Sequence, residues 1–456
     1  MKTGLIKYKA VGIILWFLVQ SNFFIILAQD TRSFLSDSAS VEDCIRYALK
    51  NQPLVKQLKL DEDISRQNVR IALSDWLPQI TSTANLQHYI KQPVLFFPDI
   101  TNPSGPKKLI TTGVANNSGL MFSANQTIFN NDVYIAGKTV KYFRTQASQT
   151  TRDAMINLVV EISKAYYDVL LSMGQLNIIN EDINRLSESL HDAYARYQNG
   201  VNDIIDYKRA TILLNNALSG KRNAEESIGG KISFLKQLMG YPDDKPLALK
   251  YNSISLKDDI LEDTLQAVNY HNRIEYQLLQ TNLHLQKSNI EYNRLSFLPS
   301  LSAYANYNIN YQNDVFSDLY KKSFPNSTAG LSLSFPIFQG TRRIQEIKKS
   351  RFQYNRLSLD TLRLRDEINT QYDQAMANYK SNLAAYKITQ ENIDIAQEVY
   401  NTVKLQYNQG IKSYLEVIVS ESDLMSARIN NLNALFMLMF SKLDVKRALG
   451  KISIDY

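Results

Sequence analysis

Cysteine occurs once in this 456-residue chain, at Cys44. A single thiol excludes an internal disulfide framework and any zinc site built on cysteines. Histidine is almost as scarce, and His88, His191, His271 and His284 do not stand at metal-ligand spacing. No metal site and no cofactor is therefore expected. Glycine (16) and proline (11) are few for this length. That excludes collagen-like and linker-rich chains, argues against a many-turned all-β fold, and favours long uninterrupted helices. No GxSxG, HExxH, P-loop or Rossmann glycine pattern is found, so an enzyme has no positive support. The acidic pairs Glu225-Glu226 and Asp258-Asp259 read as solvated surface. No Lys/Arg cluster interleaved with aromatics marks a nucleic-acid partner.

Hydrophobic residues at 44% and charged residues at 21% describe a chain that folds. Residues 1–28 begin with Lys2, Lys7 and Lys9, run apolar from Val11, and end on the small Ala28. This reads as a secretory signal peptide, with an uncleaved anchor helix as the alternative. No cysteine follows the apolar run, which excludes a lipoprotein signal. Removing the segment takes away three lysines and no acid, lowering the net charge from +7 to +4. Beyond residue 28 no run of eighteen apolar residues remains, so any membrane crossing must use a β-barrel.

The chain reads as two copies of one pattern. Asp75-Trp76-Leu77-Pro78 answers to Ser296-Phe297-Leu298-Pro299, and Thr127-Ile128-Phe129 to Pro336-Ile337-Phe338. Tyr197-Gln198-Asn199-Gly200-Val201 answers to Tyr407-Asn408-Gln409-Gly410-Ile411, and Leu238-Met239-Gly240 to Ala448-Leu449-Gly450. The first copy carries an insertion within 91–116. Expected boundaries are a first repeat at 29–240, a polar linker at 241–262 and a second repeat at 263–456.

Within each copy the period changes. A helix is expected over 41–75, capped by Ser40 with Glu42 and Asp43 at its positive end. Pro78 and Pro299 stop the helical patterns. Leu301, Ala303, Ala305, Tyr307, Ile309 and Tyr311 then alternate with Ser302, Tyr304, Asn306, Asn308 and Asn310. A second alternating run covers 329–337, and weaker ones lie at 80–90 and 119–129. These are four strands in two hairpins, each with one apolar and one polar face. Apolar residues then recur at gaps of three or four from Leu158 through Ile162, Val169, Ile183, Leu186 and Ala193 to Tyr197, a coiled-coil seam. Helices over 131–198 and 341–409 would each run about 100 Å. Each ends in Asn-Gly or Gln-Gly and is followed by a return helix of about 40 residues. Gly229-Gly230 would kink the first return helix.

Four amphipathic strands cannot close a barrel alone, whereas three chains would supply twelve strands and a wet lumen. The long helices are too charged for lipid and must project from it. The expected fold class is mainly α, with antiparallel coiled-coil helices in an α-barrel and a small β part that joins a trimeric twelve-stranded barrel.

Several stretches carry a family resemblance. They are residues 40–53 (SVEDCIRYALKNQP), residues 331–340 (LSLSFPIFQG), and the two turns at Arg196–Gly200 and Tyr407–Gly410 with Asp206, Ala210 and Glu416. Together and in order they resemble the TolC-like outer-membrane efflux proteins over nearly the whole mature chain. The resemblance implies a homotrimer in the outer membrane of a two-membrane envelope, with a periplasmic α-barrel. It implies a passive exit duct joined through a periplasmic adaptor to an inner-membrane pump, of the RND or ABC type. Type I protein secretion is the alternative within the family, and a periplasmic coiled-coil tether the alternative outside it. The resemblance also places a periplasmic gate at Asp206, Tyr407, Lys412 and Glu416, with Lys412 latched to Asp206 and three Glu416 carboxylates forming a cation-favouring ring. Lys412 replaces the family's arginine, and Val419 its second aspartate. Adaptor docking falls on Arg196, Gly200, Val201, Gly410 and Ile411. From the residues alone, all of these are equally well read as turns and solvated helix faces.

Overall fold

The computed structural model describes residues 38–98, 107–200, 203–250 and 266–456. The expected signal peptide, Val201 and Asp258-Asp259 lie outside them. The opening stretch forms two helices, α1 (Val41–Asn51) and α2 (Pro53–Ser74), where one was expected. Ser40 caps α1: its Oγ accepts the Asp43 N–H at 3.2 Å, and the Asp43 carboxylate accepts the Ser40 N–H at 3.1 Å. The break falls at Gln52, held at φ −60°, ψ 125°. Pro53 excludes the helical conformation from the residue before it, then starts α2 as its first residue.

Four strands form one antiparallel sheet in the order β1 (Gln79–His88), β4 (Asn116–Phe129), β5 (Ser300–Asn313), β6 (Ser323–Ser334). The two expected hairpins thus lie side by side, joined through β4 and β5. The alternation of each strand is in register with its neighbours. Ile80, Ala124, Ala305 and Ala329 form one row, and Ser82, Phe122, Tyr307 and Ser327 another on the same face. The opposite face is laced by Ser123 Oγ donating to Asn306 Oδ1 at 2.7 Å and Asn308 Nδ2 to Asn326 Oδ1 at 2.8 Å. β6 starts at 323 and stops at Ser334, short of the expected 337, because Pro336 has no N–H for a ladder. The 91–116 insertion carries a short ribbon, β2 (Val94–Phe97) with β3 (Lys108–Thr111). Its four-residue strands are too short to show a period.

The helices follow the expected plan. α3 (Asn131–Gln198) has 68 residues and α6 (Arg342–Asn408) has 67. Their return helices α4 (Ile204–Met239) and α7 (Tyr414–Ala448) have 36 and 35. α5 (Ile274–Leu295) leads into β5. Toward the sheet, α3 packs on α2 and α5, and α6 on α5. Away from it, α3 packs on α4 and α7, and α6 on α7. α4 runs unbroken through Gly229-Gly230, so the expected kink does not interrupt it.

The main core lies midway along the helices. It gathers Cys44, Ile45 and Ala48 of α1, Leu158, Ile162, Val169 and Leu170 of α3, Leu235 and Met239 of α4, and Phe436 of α7. Burial and the neighbouring Asp43 and Glu42 push the Cys44 thiol up to about 12, so it packs as a small apolar residue. Part of the expected linker belongs to this core: Tyr241, Leu247 and Leu249 are buried, and Tyr166 Oη donates to the Ala39 and Lys250 carbonyls at 3.1 Å. Apolar residues spaced among prolines and lysines gave that segment no period, yet they pack.

Each return helix ends on a left-handed glycine, Gly240 at φ +64° and Gly450 at φ +68°. A Cβ on Gly450 would lie 2.6 Å from the Asn272 carbonyl oxygen. Gly450→Ala is expected to cost about 1–2 kcal/mol for the left-handed backbone alone, and more for the clash. Thermal unfolding in detergent measures this; an unchanged melting temperature would mean the turn can move away from Asn272.

Candidate functional site: the helical-hairpin tips

The tips lie at the ends of α3 and α6, farthest from the sheet. The turn of the second is closed by backbone hydrogen bonds. Gly410, at φ +80°, donates its N–H to the Tyr407 carbonyl at 2.9 Å, and Ile411 donates to Gln406 O at 2.9 Å, closing a Schellman turn. Ser413 then starts α7, with its N–H on Glu416 Oε2 at 2.9 Å and its Oγ on the same oxygen at 3.1 Å. The first tip has Gly200 at φ +70°, and Asp203 caps α4 by accepting the Ile205 N–H at 3.2 Å. Both glycines hold the positive φ that the Asn-Gly and Gln-Gly pairs implied.

The structure brings some of the expected gate residues together. Lys412 Nζ lies 2.5 Å from Glu416 Oε1, one turn away on the same chain. The hydrogen bond from Lys412 and that from the Ser413 N–H hold the Glu416 carboxyl below its ordinary range. A latch from Lys412 to Asp206 would have to displace this contact, and a ring of Glu416 carboxylates would carry its own lysines. Asp206 sits in the first turn of α4, its N–H on the Asp203 carbonyl at 3.2 Å.

Tyr407 is the anchor of the group. It is buried with Tyr400, Tyr414, Val417 and Leu424, and with Ala193 and Ala210 of the first hairpin. The Arg196 guanidinium lies 4.7 Å from the Tyr407 ring centre, and Tyr414 stacks at a tilt 5.7 Å away. Ser189 Oγ and Tyr414 Oη are 2.9 Å apart. Arg196 and Tyr407 therefore join the two hairpins of one chain. Tyr407→Ala is expected to cost about 3–5 kcal/mol by analogy with other buried aromatics, and Tyr407→Phe much less. Hydrogen exchange in residues 404–417 would report the loss; equal protection in both variants would sink this role.

One cluster was not legible in advance. Asp182 and Arg185 of α3 meet Glu421 of α7 some turns above the tip. Arg185 donates to Asp182 Oδ1 at 3.0 Å, while its Nε faces Glu421 Oε1 at 3.4 Å with no hydrogen bond to either atom. Asp182 and Glu421 are each 4% exposed. Two carboxylates thus share one guanidinium in a dry contact between hairpins. Burial, then the Asp182 charge, pushes Glu421 up to about 7 against the pull of Arg185 and Lys404. Burial also raises Asp182 despite Arg185 and Arg428. The only sequence signal was Asp182 standing beside Ile183 inside the apolar seam.

This plan of an open amphipathic sheet feeding two helical hairpins is matched by known proteins. The sequence profile of the outer membrane efflux proteins matches residues 44–240 and 272–451. The chain belongs to that family. It is 20% identical to the outer membrane protein TolC of Vibrio cholerae over 441 residues, 94% of this chain and 95% of that one. It is 21% identical to the cation efflux system protein CusC of Escherichia coli O157:H7 over 442 residues, 92% and 87% of the two chains. The open-state MtrE outer membrane channel of Neisseria gonorrhoeae superposes with a TM-score of 0.71 at 17% identity, covering 94% of this chain and 95% of that one. A CusC crystal structure superposes at 0.72 and 17%, covering 90% and 91%. This efflux protein is accordingly an outer-membrane channel with its helical barrel in the periplasm. No described helix is long and apolar enough to cross a membrane.

Proposed function

We propose that three copies close one channel, the β1 edge of each pairing with the β6 edge of the next, to give twelve strands. One observation carries this: the sheet has two open edges within the chain and one face that is mainly apolar, with Ile80, Leu86, Leu120, Phe122, Ile309 and Leu331 on it and serines between them. An open edge is intolerable in lipid, four strands are too few to close, and twelve leave a water-filled lumen for the Ser and Asn face. The helices extend that lumen by about 100 Å. The chain then works as a passive exit duct, coupled through a periplasmic adaptor to an inner-membrane transporter that supplies the energy. The near-equal helix pairs and the paired glycines Gly240 and Gly450 support an internal duplication, with repeats at 29–240 and 263–456.

At the tips we assign the gate to Tyr407, Asp206, Lys412 and Glu416, and adaptor docking to the turns of Arg196, Gly200, Gly410 and Ile411, with Val201 in the first turn. The Tyr407–Arg196 contact would hold the hairpins together, and Lys412 would exchange Glu416 for Asp206 of a neighbouring coil. Native mass spectrometry of the detergent-solubilised outer-membrane fraction tests the duct. A species near three chain masses is expected, and a monomer would overturn it. Glu416→Ala tests the ring: cation preference should fall, and an unaltered reversal potential in a salt gradient would remove that role.

A further inference from the structure

The start of α6 carries a run of bases that the sequence reading left without a role. Arg342, Arg343, Lys348, Lys349 and Arg351 stand within ten residues, against the single acid Glu346. The fold does not require them. At the corresponding start of α3, Asn130 caps the helix, Asp132 accepts the Tyr292 hydroxyl at 2.7 Å, and Lys138 pairs with Glu291 at 2.5 Å. α6 has no acid in its first turn, so Arg342 and Arg343 face the positive end of their own helix, an unfavourable placement.

Nor does the chain neutralise them. Arg343 donates to the Pro336 carbonyl at 2.9 Å and to Gln339 Oε1 at 3.2 Å, and lies over the Phe297 ring at 5.1 Å. Lys349 has a loose contact with Glu346 at 3.5 Å. The side chains of Arg342, Lys348 and Arg351 have no hydrogen bond or ion pair among the described residues.

Three of the bases, Arg342, Arg343 and Lys349, line a groove of about 660 Å³ between α5 and α6 together with Glu346, and Tyr292 and Asn293 form its other wall. Its roof is the strand-to-helix junction. There Phe335, Ile337 and Phe338 are exposed, the last two by 86% and 84%. β6 ends at Ser334 and α6 begins at Arg342, so an apolar collar and a cationic, hydrogen-bonding groove lie within a few residues of each other at the periplasmic foot of the sheet. That is the amphipathic order of a glycerophospholipid.

We propose that this groove binds the phosphate headgroup of an anionic glycerophospholipid of the periplasmic leaflet, with Arg342 and Lys349 on the phosphate and Phe335, Ile337 and Phe338 against the acyl chains. Bases close to a bilayer surface attract anionic lipid within a Debye length. Glu346 opposes this attraction but is outnumbered. The inference rests on the sheet spanning the membrane.

The test uses the full-length protein in detergent, stripped of lipid and titrated with phosphatidylglycerol or with phosphatidylcholine of the same acyl chains, read by native mass spectrometry. Wild type should retain phosphatidylglycerol at least about tenfold more strongly, and the double variant Arg342→Gln/Lys349→Gln should lose that preference. Arg363→Gln, about four turns beyond Lys349 on α6, should keep it. Equal retention of both lipids, or an undiminished preference in the double variant, overturns the proposal. So does displacement of the lipid by an equal concentration of inorganic phosphate, since the acyl chains would then add nothing. Planar bilayers separate the remaining cases. A changed reversal potential in the double variant with unchanged lipid retention would place the groove in the lumen and overturn the proposal. Failure of wild type to form channels at all would instead count against the membrane-spanning sheet.

Discussion

Replacing Arg185 with alanine is expected to cost about 3–5 kcal/mol in the contact between the two hairpins, because it removes the guanidinium that Asp182 and Glu421 share in a buried site and leaves them only the longer-range pull of Arg428 and Lys404. The chain would escape part of that cost by protonating the carboxylates, so the loss should grow with pH. Wild type already carries a milder form of the same dependence. Glu421 has a folded pKa of about 7, above the 4.5 of an ordinary glutamate. The folded contact therefore holds a proton that the separated helices would release. Its stabilisation is complete below pH 4.5 and is lost as pH rises through 7. Hydrogen exchange in residues 417–428, corrected for the intrinsic rate, should show the hairpins tightest in mild acid and looser by about 3 kcal/mol at pH 8. Glu421→Gln removes the titrating group and should flatten that slope. A slope equal to wild type in this variant would show that Glu421 is not responsible.

Arginine at position 329 should abolish assembly while arginine at 328 is tolerated. Ala329 stands opposite Ala305 on the apolar face near the middle of β6, and Thr328 stands opposite Asn306 on the other. A charge facing lipid near the midplane costs about 2–4 kcal/mol, incurred three times in a trimer. A charge facing the lumen is solvated, so Thr328→Arg should assemble and shift ion selectivity toward anions. Heat-modifiable gel mobility measures the first and reversal potentials the second. Equal loss of trimer in both variants would contradict a barrel with distinct wet and dry faces, and the reverse order would turn the sheet inside out.

The sequence by itself determined the elements whose periods are long or strict. The helix over 131–198 and the strand from 301 to 311 were readable because every third, fourth or second residue repeats the same demand, and a single aberrant residue cannot move the whole phase. The turns were readable for a different reason: Gly200 and Gly410 lack the Cβ that penalises a left-handed backbone, so local sterics decide. The break at Gln52 was as local as these, written in Pro53, and the apolar period running through it hid it.

Tertiary structure decided what depends on neighbours far along the chain. Nothing in residues 182, 185 and 421 announces that they meet, because a charged residue in a helical seam reads the same whether its partner or solvent lies opposite. The packing of α3 on α7 makes that choice and sets the Glu421 proton affinity. Lys412 is the converse case. Its partner Glu416 stood one turn away, and the cap of α7 at Ser413 fixed that carboxylate in place. The packed segment after Gly240 and the groove beside Arg342 belong with Glu421, since each is made by surfaces that the chain brings together only after its helices have found one another.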